Sequence, residues 1–275
     1  MLQVCHLDCG ALLYTDKGLR TVITTRYVLA LREGGSLPAI VEADDLGLYV
    51  LKFRGAGQGP LALVAELVAG EIGRLLGLSI PELVLAEVDS ALGRNEPDAE
   101  IRHLLRQSSG LNLALDYLPG SLMFDAAAGE VASPEIASMA VWFDAFTQNV
   151  DRTARNANLL VWHRKLYFID HGAALFFHHN WETAAAKVVS PFAEIQHHVL
   201  LPWANSIDQA GKLAREKVTL ESLDAILRQI PDEWLESEEA TADQRRAAYL
   251  EYLLQRLNAA AIFEEEAKRA HASLL

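Results

Sequence analysis

The stretch "NVDRTARNANLLVWHRKLYFIDHGAAL", residues 149–175, brings two carboxylates and an amide to the ends of an apolar hairpin. Asp151 and Asn156 stand five positions apart ahead of "NLLVW", and Asp170 follows "KLYFI". Taken singly, each reads first as a turn or cap residue, because short polar side chains bond their own backbone. Taken in order, they match three tasks of phosphoryl transfer, a reaction in which the protein mainly positions groups and neutralises charge. A carboxylate before the hairpin accepts the proton of an attacking hydroxyl. The amide further on and the carboxylate after the second strand ligate magnesium, which prefers hard oxygen donors and keeps several waters.

Such a site needs two more groups upstream, a strand lysine that grips the α- and β-phosphates and a helix glutamate that orients it. "LYVLKF" supplies Lys52 on an otherwise apolar strand, where an unpaired ammonium is costly. Glu66, on the next helix, is the candidate partner, although an exposed helix face explains it equally well. The loop "REGGSLP", with Gly34, Gly35 and Ser36, has the composition to cover phosphates with backbone N–H groups. With Lys52 upstream, the ordered set reads as a nucleotide site rather than as unrelated turn residues.

The elements that must position these groups follow from periodicity. Strands are expected at 11–15, 21–31, 38–43 and 48–53, separated by turn-rich "REGGS" and "DDLG", which makes a small, mostly antiparallel sheet. A helix from about Pro60 carries Leu63, Leu67, Ile72, Leu75 and Leu76 at helical spacing and stops at "GLS" before Pro81. A strand at 82–88, a short helix at 98–107 and a strand from 111 into the turn "YLPG" follow. From Ser133, an N-cap ahead of Pro134, the chain becomes mainly helical: 134–149, a region from about 190 to 230, and a final helix from Thr241 opened by a Thr241/Gln244 capping box. The composition change places an N-terminal part at 1–116 and a helical part at 117–275 that contains the hairpin.

Together "GGSLPAIVEADDLGLYVLKF", "LVAELVAGEIGRLLGLSIPE", "LNLALDYLPG" and "NVDRTARNANLLV" with "FIDHGAAL" resemble the HipA-like kinases over roughly residues 20–180. The Asp-x4-Asn spacing followed by Ile-Asp-His-Gly is the most specific element. The loop is also similar to the Asp-Arg-His-x-x-Asn loop of phosphatidylinositol kinases, except that Thr153 stands where both groups usually have His. The resemblance implies an α+β, two-lobed protein-kinase-like fold and an enzyme that uses ATP and magnesium to phosphorylate a protein serine or threonine. It implies Asp151 as the catalytic Asp, Asn156 and Asp170 as magnesium ligands, and Lys52 as the phosphate lysine. Backbone groups of Asp116, Tyr117 and Leu118 would contact adenine at the hinge. The acceptor does not carry over: a small-molecule kinase, and a nucleotide-binding module that has lost transfer and works through partners, stay open.

Composition narrows the remaining choices. The 275 residues carry a net charge of −13 with 24 basic side chains, and no basic run exceeds two, so direct nucleic-acid binding is not expected. No stretch approaches the ~18 apolar residues of a spanning helix, and the N-terminus lacks a basic and apolar leader, so the expectation is a cytoplasmic protein without a membrane. Cys5 and Cys9 are too few for a disulfide scaffold. Gly55, Gly57 and Gly59 are out of register for a dinucleotide fingerprint and read as loop geometry. His171, His178, His179, His197 and His198 lack regular ligand spacing and read as surface or hydrogen-bonded histidines. Trp142, Phe143 and Phe146 read as helix core.

Overall fold

The computed structural model describes residues 18–31, 37–57, 59–94, 96–129 and 132–274. The expected strand at 11–15, both cysteines, and Gly34, Gly35 and Ser36 of the candidate phosphate loop lie outside the described residues.

Strands β1 (Thr21–Ala30), β2 (Ala39–Ala43), β3 (Leu48–Lys52), β4 (Leu83–Val88) and β5 (Gly110–Asp116) close into a barrel of order β1-β2-β3-β5-β4. The expected sheet is mostly antiparallel, and it closes on itself. After helix α1 (Pro60–Leu76), β4 returns to pair with β1 in parallel, Thr21 opposite Leu85, while the other pairings are antiparallel. Helical crossovers permit such parallel neighbours, and closure removes the exposed edges of the sheet. Alternation along β3 sends Tyr49 and Leu51 into the barrel core with Val22, Val41, Val84 and Ala114, and leaves Lys52 on the opposite face. Helix α2 (Ala99–Gln107), N-capped by the Asp98 side chain, adds Ile101, Leu104 and Leu105 to that core.

Helix α1 starts with Pro60 at its first turn and ends on Gly77 in the left-handed conformation, φ 92°, where a side chain would be strained. It is buried along nearly its whole length. Leu63, Leu67 and Ile72 share one core with Leu83, Leu113 and Leu115 of the barrel and with the helices that follow.

Those helices are α3 (Pro134–Thr147), α4 (Ala184–Val188), α5 (Ile207–Lys217), α6 (Leu220–Leu227), α7 (Asp232–Leu235), α8 (Ala242–Asn258) and α9 (Ala260–Ala272). The final helix expected from Thr241 is therefore two, broken at Ala259, and only 207–217 and 220–227 of the expected 190–230 region are α-helix. The Thr241/Gln244 capping box forms. Helix α3 runs through the middle of this part with Trp142, Phe143 and Phe146 fully buried, and Trp142 stacks on Phe146 at 5.1 Å. Gly211 of α5 admits the Glu264 carboxylate, which accepts the Trp142 indole N–H at 2.7 Å; a Cβ at that glycine would lie 2.2 Å from Glu264 Oε1.

The hairpin is present as β7 (Leu159–Trp162) and β8 (Lys165–Phe168), with His163 and Arg164 at φ 48° and 63°, the geometry of a two-residue hairpin turn. Strand β6 (Leu122–Met123), not apparent in the pattern, adds to β7 as a third strand. The two parts are also joined directly: Phe168 N–H donates to Ser79 O at 2.8 Å, Trp234 Nε1 to Leu111 O at 3.2 Å, and Arg54 pairs with Glu233 at 3.0 Å. The architecture is α+β and two-lobed. Among the described residues no helix is long and apolar enough to cross a membrane.

Candidate active site between the barrel and the hairpin

Lys52 leaves the end of β3 toward the hairpin. Its Nζ lies 2.6 Å from Asp170 Oδ1 and 3.5 Å from Glu66 Oε2. The Glu66 carboxylate is 1 % exposed, and the same Oε2 accepts the backbone N–H of His171 at 2.9 Å. One lysine thus joins a strand, a helix and the end of the hairpin. Glu66 is a buried charge partner rather than a residue of an exposed face.

Electrostatics follow from burial. Burial opposes the Lys52 charge, but the Glu66 and Asp170 carboxylates outweigh it and hold its pKa above the ordinary lysine value. For Asp170, too, burial opposes the charge and Lys52 prevails, so the carboxylate stays ionised. Glu66 is pushed the other way, upward, because its desolvation is only partly offset by Lys52 and Asp170 adds like charge. Asp170 is the open member of the three, its side chain 38 % exposed, and its backbone sits at φ 57°. A non-glycine residue in the left-handed region is a strained conformation of the kind that collects at functional sites.

Across from this cluster lies the loop before β7. Asp151 Oδ2 accepts from Asn156 Nδ2 at 2.9 Å and from Asn158 Nδ2 at 3.3 Å. The loop is closed by Thr153, whose N–H donates to Asn156 O at 2.9 Å and whose Oγ1 accepts the Asn156 N–H at 3.3 Å. Asp151, Asn156, Lys52, Glu66 and Asp170 therefore occupy adjoining segments, β3, α1 and the two ends of one hairpin. The three positions expected at the hinge differ from one another. The N–H groups of Asp116 and Tyr117 are used by Glu82 O and Leu48 O, at 2.8 and 2.9 Å, whereas the Leu118 N–H has no partner among the described residues. Burial, then the nearby Glu82, raises the Asp116 pKa.

Beneath the loop is a second charge cluster that the sequence reading did not single out. Arg152 and Asp144 are fully buried and joined at 2.6 Å, and His198 Nε2 reaches the same Asp144 Oδ2 at 2.9 Å. Arg152 also donates to Asn158 O at 2.5 Å, to Ile169 O at 3.4 Å and to His171 Nδ1 at 3.1 Å. Despite its burial, Asp144 is held at a pKa of about 2, because Arg152 and His198 more than offset the desolvation. Burial, then the Arg152 charge, drops His171 to about 3, so the imidazole is neutral. A signal for this cluster was available. Asp144 is the lone acid in the buried run "MAVWFDAFT", and a charge inside a helix that is apolar all round demands a buried partner.

The remaining histidines are placed apart. His178 is buried with its Nδ1 2.8 Å from the Tyr249 hydroxyl, and His197 lies beside the loop before β7.

A family model described as HipA-like kinase matches residues 25–266. No curated protein matches the chain. Among solved structures, the Helicobacter pylori proinflammatory kinase CtkA is similar at a TM-score of 0.56 and 14% identity, over 94% of this chain and 99% of that one, a likeness of fold. The Golgi casein kinase with Mn/ADP bound aligns at a TM-score of 0.47 and 9% identity, over 90% of this chain and 73% of that one, too distant to carry an argument. The family match spans most of the chain, takes in both charge clusters and agrees with the two-lobed, kinase-like fold: the chain belongs to the HipA-like kinase family.

Proposed function

We propose that the protein is an ATP- and magnesium-dependent kinase that transfers the γ-phosphoryl group to a serine or threonine of another protein, with its lobes meeting between Asp116 and Tyr117. The observation that carries this reading is Lys52 bridging Glu66 and Asp170 from three different elements. An ammonium held there by two carboxylates suits a phosphate arriving between the lobes.

The residues present fit a magnesium ion. Asn156 donates through Nδ2 to Asp151, which leaves its amide oxygen free to ligate, and Asp170 has one oxygen on Lys52 and the other available on a half-exposed side chain. Both are hard oxygen donors of the type magnesium takes. When bound, the ion supplies positive charge at the transferring phosphates. Lys52 orients the α- and β-phosphates, and the Leu118 N–H is the donor available to adenine. Asp151 has one carboxylate oxygen held by two amides and the other left to accept the proton of the acceptor hydroxyl. As that hydroxyl oxygen bonds to phosphorus, the bond to the ADP oxygen breaks and the proton passes to Asp151.

Thr153 favours a second reading, nucleotide binding with impaired transfer. Its N–H donates to Asn156 O and its Oγ1 accepts the Asn156 N–H, which closes the loop, and an uncharged threonine brings no cation to the site. Single-turnover transfer from γ-labelled ATP decides between them. Label on protein with loss of ~100- to 10,000-fold in Asp151→Asn, at nearly unchanged ATP affinity, is the expected result. Label on a small molecule would reassign the acceptor, and ATP binding without any turnover would leave the binding module.

A further inference from the structure

Arg152 follows Asp151 directly in the chain, and its guanidinium is sealed from solvent. A structural ion pair would need only Asp144. Arg152 instead spends its remaining donors on Asn158 O, two residues beyond Asn156, and on Ile169 O and His171 Nδ1, the two neighbours of Asp170. Its partners therefore flank Asp170 on both sides and follow Asn156 by two residues, and Arg152 itself adjoins Asp151. The guanidinium is planar and rigid, so groups bound to it at once are held in one mutual geometry, which a lysine's single ammonium cannot do. Arginine only donates; His171 Nδ1 must therefore accept, and the ring proton sits on Nε2. The tie is reinforced by Ile169 N–H, which donates to Asn158 O at 3.1 Å.

We propose, building on the kinase reading above, that Arg152 is a positioning residue: it sets the loop of Asp151 and Asn156 in register with the turn of Asp170, and His171 is the acceptor through which the turn is held. Asp144 pairs with the guanidinium and aligns it. Its other partner, His198, comes from residues 193–203 and touches none of the proposed site residues, although Val199 N–H donates to Arg152 O at 3.1 Å. His171 thus meets the pair through Arg152 and His198 meets it through Asp144, and only His171 is the chain neighbour of a proposed metal ligand.

That asymmetry supplies the test. His171→Leu, His198→Leu and Arg152→Lys are compared with the parent by thermal denaturation, magnesium-dependent ATP binding in the calorimeter, single-turnover transfer, and amide exchange of residues 151–158 and 168–172 without nucleotide. Both leucine variants are expected to lower the thermal midpoint. Only His171→Leu is expected to lose ~10- to 100-fold in magnesium-dependent ATP affinity and in kcat, with KM for the acceptor unchanged, as loss of a partner behind metal ligands typically does. Its amide exchange should quicken in both segments. Arg152→Lys should share these losses although it keeps the charge. Equal losses in His198→Leu and His171→Leu, or parental binding and exchange in folded His171→Leu, would overturn the proposal. If the parent itself neither binds nor transfers, the kinase reading fails, and amide exchange alone decides the positioning role: quickening confined to His171→Leu and Arg152→Lys sustains it, and no difference ends it.

Discussion

Two charge clusters lie on either side of the "DHG" turn and share a backbone but not a character. In one, Lys52 is held by Glu66 and by Asp170, whose side chain is 38 % exposed. In the other, Asp144 and Arg152 are wholly sealed, and His198 and His171 complete the set. An open cluster can exchange its partners for a ligand. A sealed one has no route to a ligand and a large penalty for losing a member, so its value lies in holding geometry. His171 belongs to both, since its N–H goes to Glu66 and its ring to Arg152.

The largest expected contrast comes from one chemical change made at both places. Asp144→Asn strands the buried Arg152 charge and should cost about 3–5 kcal/mol of stability in urea denaturation. Asp170→Asn, at a side chain open to water, should cost under about 1 kcal/mol yet abolish magnesium-dependent ATP binding. Equal stability losses would break the distinction between the clusters.

Lys52→Met comes next. It removes a charge-assisted bond worth about 1.5–3 kcal/mol, so ATP should bind roughly 10- to 100-fold more weakly by calorimetry. Unchanged affinity would move the phosphate site away from the open cluster.

Acid should destabilise the fold through its buried histidines. His171 and His178 are both held near a pKa of about 3 by burial, against ~6.5 in the unfolded chain. Between those values the unfolded state binds more protons, so the stability is fully present above pH ~6.5 and is lost as pH falls, about 1.4 kcal/mol per pH unit for each group. Denaturation midpoints that stay level from pH 7 to pH 5 would contradict this. His178→Phe should reduce the slope by one group while leaving the loss due to His171.

The smallest effect is a control distant from both clusters. Thr241→Ala removes the capping box of α8 and should cost about 1 kcal/mol with ATP affinity unchanged. A change in affinity would mean that the C-terminal helices bear on the site.

Much of the open cluster was legible. Lys52 stands out as the charge in an apolar strand, and Asp151, Asn156 and Asp170 frame a hairpin whose alternation and turn are local properties. Glu66 could be named but not settled. A glutamate on a helix is ambiguous until the helix is seen to be buried on nearly every side. Arg152 stood in the quoted motif without a role, Asp144 was unnoticed, and His198 was read only as a surface or hydrogen-bonded histidine, because their partnership joins residues 54 apart in sequence.

Local rules were enough for the barrel strands from β1 to β5, for the start of α1 at Pro60 and for the caps at Ser133 and Thr241, since periodicity and capping act within a few residues. Only the tertiary structure closed the barrel by returning β4 to β1, broke the last helix at Ala259, and chose which charges would be sealed and which left open. Those outcomes depend on contacts between residues distant along the chain. Burial, which decides whether a charge can exchange its partner, is a property of the packed whole and of no single segment.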